Sequence, residues 1–230
     1  MNLEPTPDYL KSGIRKHFLS GLKTSHSLEM YELYLFRWFK NETEKTWVRM
    51  DAEEQRYIQE QAALGKEEIN DSGIVATDYY RKRMRFSHVI FLASLLEGAM
   101  KRECDRLTHA LGGQALFKPS DLKGDPWSVR RLFLERYGSF EIPSSMWAPV
   151  KDLLVVRNAL VHHNGDSLLL TQEQVSTLSK ISGISLNSSE VGIDESYVDQ
   201  AIESTSTVMQ FLHEKINELI DRAVSPRAVL

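Results

Sequence analysis

Apolar residues recur every three or four positions along most of this chain, a spacing that is typical of helices rather than strands. The clearest case runs from about Asp78 to Leu111, and a second runs from Glu195 to Val224. The apolar side of the first segment consists of Phe86, Val89, Ile90, Ala93, Leu96 and Met100, with the acidic Glu97 among them. The apolar side of the second consists of Val198, Ile202, Val208, Phe211, Leu212, Ile216 and Leu219. Both segments are predicted to be long amphipathic helices.

Weaker patterns predict the other helices. One is expected over residues 9–22, after the capping sequence Thr6-Pro7-Asp8. Another is expected over 28–47, with Met30, Leu33, Tyr34 and Trp38 on its apolar side. The charged stretch 51–70 either continues that helix or forms a second one, and Asp71-Ser72-Gly73 breaks it. A shorter helix is predicted over 127–138.

The helical pattern continues to the stop at Asn164-Gly165 and changes after Gly165. Pro143 indicates a break, and Pro149 indicates the start of a helix over 150–161. Asn164-Gly165 is expected to end this helix. Residues 166–194 then alternate in polarity and predict a loop with a small hairpin formed by 178–187 and 189–194. The sequence therefore predicts an all-α protein, with residues 1–77 as an N-terminal helical extension and residues 78–230 as a helical bundle.

Composition narrows the classes of function. The chain has 230 residues, of which 42% are hydrophobic, and a net charge of −4, so nucleic-acid binding would need a local basic patch. Its one cysteine, Cys104, allows no intramolecular disulfide, which fits a reducing cytoplasm. The N-terminus lacks the pattern of a signal peptide, and the longest apolar run, Val89–Leu96, is far shorter than the roughly 20 residues of a membrane span. We expect a cytoplasmic protein without membrane contact.

The candidate chemistry lies at the end of the helix over 150–161, where Arg157, Asn158 and His162 interrupt an otherwise apolar run. An imidazole can move protons near neutral pH, and a guanidinium can bind and stabilise a phosphate. On a regular helix, residues five apart diverge by about 140°, whereas residues four apart diverge by about 40°. Asn158 and His162 therefore share a face. Arg157 would join them if its side chain reached around the helix, if the helix loosened near His162, or if two protomers built the site.

These residues resemble the signature of the HEPN superfamily (higher eukaryotes and prokaryotes nucleotide-binding). The resemblance spans residues 79–220 and includes R-N-x3-H at Arg157–His162, the acidic Glu97 on the preceding long helix, and a long final amphipathic helix. It implies an up-and-down helical bundle and a metal-independent ribonuclease without a cofactor, in which two protomers contribute Arg and His to one cleft. Many such proteins belong to toxin–antitoxin or anti-phage systems. Asn164 stands where one subgroup of the family carries a regulatory Tyr.

Each candidate residue also has a structural reading. Arg157 can pair with Glu97 inside the bundle, and His162 can complement the dipole of its helix. Glu97 is expected to hold Arg157 or Asn158, and His163 to be a neighbour in a supporting role. Arg81, Lys82, Arg83 and Arg85 are either a solvated helix start or a phosphate-binding cluster, with Arg130 and Arg131 as a weaker second candidate. A metal site formed by His162 and His163 with Glu97 is a poor alternative, because adjacent residues on a helix point apart. Tyr79, Tyr80 and the Trp residues are expected in the core.

The resulting prediction is a metal-independent endoribonuclease acting as a homodimer on RNA, as a toxin or a defence or stress-response effector. Arg157 would stabilise the transition state, His162 would move protons, Asn158 would assist and Glu97 would orient. An antitoxin or other regulatory protein is a further expected partner. The alternative is a non-catalytic HEPN-like module that binds RNA or a protein.

Overall fold

A computed structural model describes residues 26–66, 72–111, 119–121, 123–187 and 189–224. Within them the helices are α1 (His26–Ala63), α2 (Ser72–Leu111), α3 (Pro126–Gly138), α4 (Ser144–His163), α5 (Gln172–Leu178) and α6 (Glu195–Val224). Short 3-10 turns lie at Pro119–Asp121 and Ser167–Leu169. Strands β1 (Ile184–Leu186) and β2 (Val191–Ile193) form an antiparallel hairpin in which Ser185 pairs with Gly192. The predicted all-α class and the hairpin after α4 are confirmed.

Several element boundaries differ from the prediction. α1 is continuous through the charged stretch to Ala63. Of the two predicted alternatives, the one in which this stretch continues the helix is therefore confirmed. α2 begins at Ser72, six residues before the predicted start. Ser72 and Gly73, which were expected to break a helix, are its first two residues. The predicted helix over 9–22 and the residue Asp71 lie outside the described residues. Residue 77, the predicted end of the N-terminal extension, lies within α2. The division of the chain into an extension and a bundle stays a prediction.

Two further predictions about local structure were wrong. α4 begins at Ser144, directly after Pro143, and Pro149 lies within its first two turns. The amides of Met146 and Trp147 bond to the Pro143 carbonyl at 2.9 and 3.0 Å, so the helix has already started before Pro149 removes one donor. The predicted loop after Gly165 also contains the helix α5, which a Thr171–Gln174 capping box starts.

Contacts within the chain define two compact units, each assembled from separate segments. Of the described residues, the first unit comprises those within 26–31, 95–147 and 206–224, and the second comprises those within 32–94 and 148–205. The first unit contains a buried polar network. Arg106 donates to both carboxylate oxygens of Glu103 at 2.7 and 2.8 Å and to Asn217, whose side chain also contacts His213 at 2.8 Å. Removing one partner of such a network would leave an uncompensated buried charge.

In the second unit, charged side chains lie within the packing and are paired. Lys40 on α1 is 1% exposed and donates to Glu195 and Asp199 of α6, at 2.7 Å each. Arg85 on α2 donates to both carboxylate oxygens of Glu44 at 2.7 and 2.8 Å. Because buried charges are tolerated only when paired, these contacts fix the rotation of α1 about its own axis.

That rotation contradicts the predicted apolar side of α1. Leu33 and Phe36 are buried together with Lys40 and Glu44, whereas the predicted core residues Tyr34 and Trp38 are 64% and 58% exposed. Tyr79 and Tyr80, also expected in the core, are exposed at the start of α2, while Trp127 and Trp147 of the first unit are buried as expected. The spacing of apolar residues along α1 could not predict that paired charged side chains would be buried on its inward side.

His88 lies in the second unit with both ring nitrogens buried and without a hydrogen-bond partner in the described structure. The rings of Phe36 and Phe39 lie nearly perpendicular to the imidazole, with centroids 5.2 and 6.1 Å away. Burial lowers the pKa of His88 from its usual 6.5 to about 4, and the nearby charges of Glu44, Lys40 and Arg85 modify this shift. The folded protein therefore holds His88 as a neutral imidazole.

This burial predicts a pH-dependent stability. Below about pH 6.5 the unfolded chain protonates His88 while the folded chain does not, so the stabilisation present above pH 6.5 is lost as the pH falls toward 4. We expect His88→Leu to remove about 3 kcal/mol of the decrease in unfolding free energy between those pH values. Urea denaturation across the pH range measures it. The exposed His109→Gln should leave the decrease intact, and an unchanged decrease in His88→Leu would contradict the prediction.

Candidate functional site

The motif residues occupy the last two turns of α4. The helix remains regular through His163, so no loosening near His162 occurs. Asn158 and His162 are both exposed, as expected for residues one turn apart on the same face. Arg157 is half-buried, and its Nη1 donates to the Asn158 Oδ1 at 3.0 Å. The guanidinium thus reaches around the helix toward the face that carries Asn158 and His162.

The end of α4 is fixed by the predicted stop at Asn164-Gly165. Both residues adopt a left-handed backbone, with φ of 52° and 73°. The Gly165 amide donates to the Ala159 carbonyl at 3.3 Å, and the Gly165 carbonyl accepts from the Val191 amide of β2 at 2.8 Å. A Cβ on Gly165 would lie 2.4 Å from the ring of Phe86. The stop therefore needs glycine for two reasons, the backbone conformation and the close approach of α2.

Arg83 of α2 links the basic cluster to this helix end. Its Nη1 donates to the Asn164 backbone oxygen at 3.2 Å and to the Asn164 Oδ1 at 3.4 Å. The same guanidinium lies over the rings of Tyr79 and Phe86, at 5.3 and 5.2 Å from their centroids. Sequence reasoning missed this link. The spacing of Tyr79 and Arg83, four apart on one helix, could have indicated the ring contact but not the bond to Asn164.

The four predicted RNA-binding residues all pair with carboxylates. Arg81 bonds to Asp51, Lys82 lies 2.7 Å from Asp78, and Arg83 lies 3.6 Å from Glu190. Arg85 is bound to Glu44, and its side chain is 16% exposed. The side chains of Lys82 and Arg83 are 34% and 33% exposed, so these two have the access to solvent that a phosphate contact needs.

The supporting residues have structural partners. Glu97 accepts from Arg130 Nη1 at 3.0 Å in the first unit, so the carboxylate expected to orient Arg157 or Asn158 holds Arg130 instead. Arg131 pairs with Glu135 at 2.9 Å and lies over the Trp147 ring. His163 is half-buried, and its carbonyl accepts from the Asp166 amide at 2.8 Å.

Cys104 is buried in the first unit. Burial raises the pKa of the Cys104 thiol to about 12, so this cysteine is a core residue. In the described part of the chain, no group of three or more His, Cys, Asp or Glu side chains is placed to hold a metal ion. Among the helices described, none has both the length and the apolarity to cross a membrane.

No protein-family model, curated protein or solved structure matches this chain significantly. The likeness to the HEPN superfamily therefore rests on the residues of α4 and on the pattern of the helices around them.

Because Phe86 lies so close to Gly165, we expect a substitution of Gly165 to lower the free energy of unfolding more than the same substitution of another glycine with a similar backbone conformation. Gly65, at the end of α1, has nearly the same φ, 71°, but no atom within 4 Å of an added Cβ, so it is a matched control. We expect Gly65→Ala to lower the unfolding free energy by about 1 kcal/mol, from backbone strain alone. Gly165→Ala should lower it by about 3 kcal/mol, because the added methyl also displaces the Phe86 ring. Equal losses in urea denaturation would show that Phe86 does not constrain the helix end.

Proposed function

We propose that the protein is a metal-independent endoribonuclease of HEPN type, with Arg157, Asn158 and His162 as its catalytic residues. The observation that supports the proposal is the bond from Arg157 to Asn158, which lies one helical turn before His162. Asn158 and His162 share the exposed face of α4, and Arg157 is bonded to Asn158 at 3.0 Å. The three side chains are the types that metal-free cleavage of RNA requires, held on a helix whose end is fixed.

The reaction uses the ribose 2′-hydroxyl as the nucleophile. As its oxygen bonds to the adjacent phosphorus, an imidazole takes the hydroxyl proton, and the bond from phosphorus to the 5′-oxygen of the next nucleotide breaks. The leaving 5′-oxygen receives a proton, and the products carry a 2′,3′-cyclic phosphate and a 5′-hydroxyl. Arg157 stabilises the extra negative charge on the phosphorane, usually the largest single contribution in such sites. Asn158 holds the guanidinium in position.

The proposal includes a homodimer. A single α4 offers one His162 on an open surface, whereas the two proton transfers of the reaction occur on opposite sides of the phosphorus. A second α4 near a two-fold axis would supply a second imidazole and exclude water from the cleft. Within the basic cluster, Lys82 and Arg83 are the proposed phosphate contacts, since Arg81 and Arg85 are engaged by Asp51 and Glu44.

Replacement of the motif residues tests the proposed chemistry. We expect His162→Ala and Arg157→Ala each to reduce RNA cleavage at least about 100-fold in the presence of a chelator, with unchanged circular dichroism. The adjacent His163→Ala is the matched control and should retain most of the activity. Mass spectrometry of the wild-type products should find cyclic phosphate ends. Undiminished cleavage by His162→Ala, or products with 5′-phosphate ends, would overturn the assignment.

A second candidate function is a non-catalytic module that binds RNA or a protein. The carboxylate partners of the basic cluster and the exposed apolar side chains of α1 favour it, because the former weaken a phosphate site and the latter suit a protein partner. Binding of RNA or of a co-purifying protein, without cleavage by the wild-type protein, would support this reading.

The proposed biological role is that of a toxin or of a defence or stress-response effector, with an antitoxin or regulatory protein as partner. If cleavage is the toxic activity, induced expression in bacteria should arrest growth, and His162→Ala should restore growth at equal protein levels. Growth measured with both variants, and with His163→Ala as the control, decides this. Equal toxicity of His162→Ala and wild type would separate any growth effect from the proposed chemistry.

A further inference from the structure

Apolar and aromatic side chains line a groove between α1 and α2 of the second unit. The groove has a volume of about 570 Å³, which lies within the range of roughly 300–1,000 Å³ that is usual for small-molecule sites. Its apolar lining consists of Leu35, Phe36, Phe39, Met84 and Phe91. Phe36 and Phe91 stack with their ring centroids 4.6 Å apart, and Phe39 and Phe91 are 47% and 41% exposed. A molecule bound in the groove would therefore contact aromatic rings.

His88 of α2 also lines the groove and lacks a hydrogen-bond partner. Its side chain is 2% exposed, and neither ring nitrogen has a partner in the described structure. Buried polar groups in native proteins are nearly always bonded, so each exception needs an explanation. A neutral imidazole can accept one hydrogen bond and donate another. An N–H group of a ligand in the groove would supply the missing bond if the imidazole turned toward it.

The charge that lines the groove is negative. Among the described residues of the lining, Glu32 is the only charged one, because His88 is held neutral by burial. The Glu32 side chain is exposed and forms no ion pair within the described part of the chain. Aromatic rings attract a cation that lies over their faces. The groove therefore favours a ligand with a positive charge over one with a negative charge.

The spacing along α1 sets the distance between the charge and the rings. Glu32, Phe36 and Phe39 stand at i, i+4 and i+7, so they lie in a row on one face of the helix. One helical turn rises by about 5.4 Å. This rise is close to the reach of a two-carbon arm that joins an aromatic ring to an amine.

We propose that the groove binds a small aromatic amine, with its ring against Phe39 and Phe91 and its ammonium group beside Glu32. The ring would cover the exposed aromatic wall, and a ring N–H group would be the donor for His88. The ammonium group would pair with a carboxylate that has no ion pair within the described part of the chain. Each of these three features of the groove is thus matched by one part of the ligand.

This site is independent of the catalytic proposal. It uses α1 and the Met84–Phe91 part of α2, whereas the proposed catalysis uses Arg157, Asn158 and His162 on α4. Failure of one proposal therefore leaves the other standing. His162→Ala should leave the binding of an aromatic amine unchanged, whatever its effect on RNA cleavage.

Three indole compounds of different charge test the proposal in NMR titrations of the full chain near neutral pH. Tryptamine carries an ammonium group, indole has no charge, and indole-3-propionate carries a carboxylate. We expect tryptamine to bind with a Kd below about 10 mM and at least about 5-fold more tightly than indole-3-propionate, with indole between them. No saturable binding of tryptamine, or equal affinities for tryptamine and indole-3-propionate, would overturn the proposal.

Replacement of Glu32 tests the position of the ammonium group. Glu32→Gln should weaken tryptamine binding about 3-fold and leave indole binding unchanged, because only the charged compound loses a partner. Glu53→Gln is the matched control, since it removes the same charge from an exposed position of α1 outside the groove, and it should bind tryptamine as wild type does. Equal effects of the two substitutions would contradict the pairing with Glu32.

Replacement of Ser87 tests the position of the ring. Ser87 is exposed and lines the groove, so Ser87→Arg places a long cationic side chain where tryptamine should lie. This variant should lose tryptamine binding, whereas Ser87→Ala should keep it. Circular dichroism checks that both variants fold. Undiminished binding of tryptamine by folded Ser87→Arg would show that the compound binds elsewhere and would overturn the proposal.

Discussion

The junction of Gly165 with Phe86 and Val191 is the constraint on which the candidate site depends. The Gly165 carbonyl accepts from the Val191 amide at 2.8 Å, and the ring of Phe86 lies where a Cβ would otherwise be. This junction ends α4 and ties it to both the hairpin and α2. His162 lies three residues before Gly165, and Asn158 lies seven residues before it. The direction of both side chains therefore depends on this helix end, which a side chain at residue 165 would disturb.

The paired charges of the second unit are the other constraint. Arg85 is turned inward to Glu44 and Arg81 to Asp51, so half of the basic cluster serves packing rather than ligand binding. Lys40 is likewise bound to α6, and its burial turns Leu35 and Trp38 toward solvent. One rotation of α1 about its axis thus has two effects. It pairs charged side chains in the interior, and it exposes apolar side chains on the outside. The exposure of these apolar side chains follows directly from how the unit satisfies its buried charges.

Within the second unit, the proposed catalytic residues and the exposed apolar side chains lie on different helices. Arg157, Asn158 and His162 lie at the end of α4, whereas Leu35 and Trp38 are exposed on α1. A site on an exposed helix needs a second surface to exclude water, since electrostatic stabilisation is weak in bulk solvent. The proposed homodimer would supply that second surface.

The sequence by itself determined the helical class, α3, α6, the hairpin and the end of α4, because local spacing and turn residues specify these features. It also predicted that Asn158 and His162 share a face. Only the tertiary structure decided the partner of Glu97, the burial of Lys40 and the exposure of Trp38. An ion pair between residues far apart in the chain leaves no trace in local periodicity. The side of α1 that faces inward was therefore set by the carboxylates of α6, which no pattern within α1 could reveal.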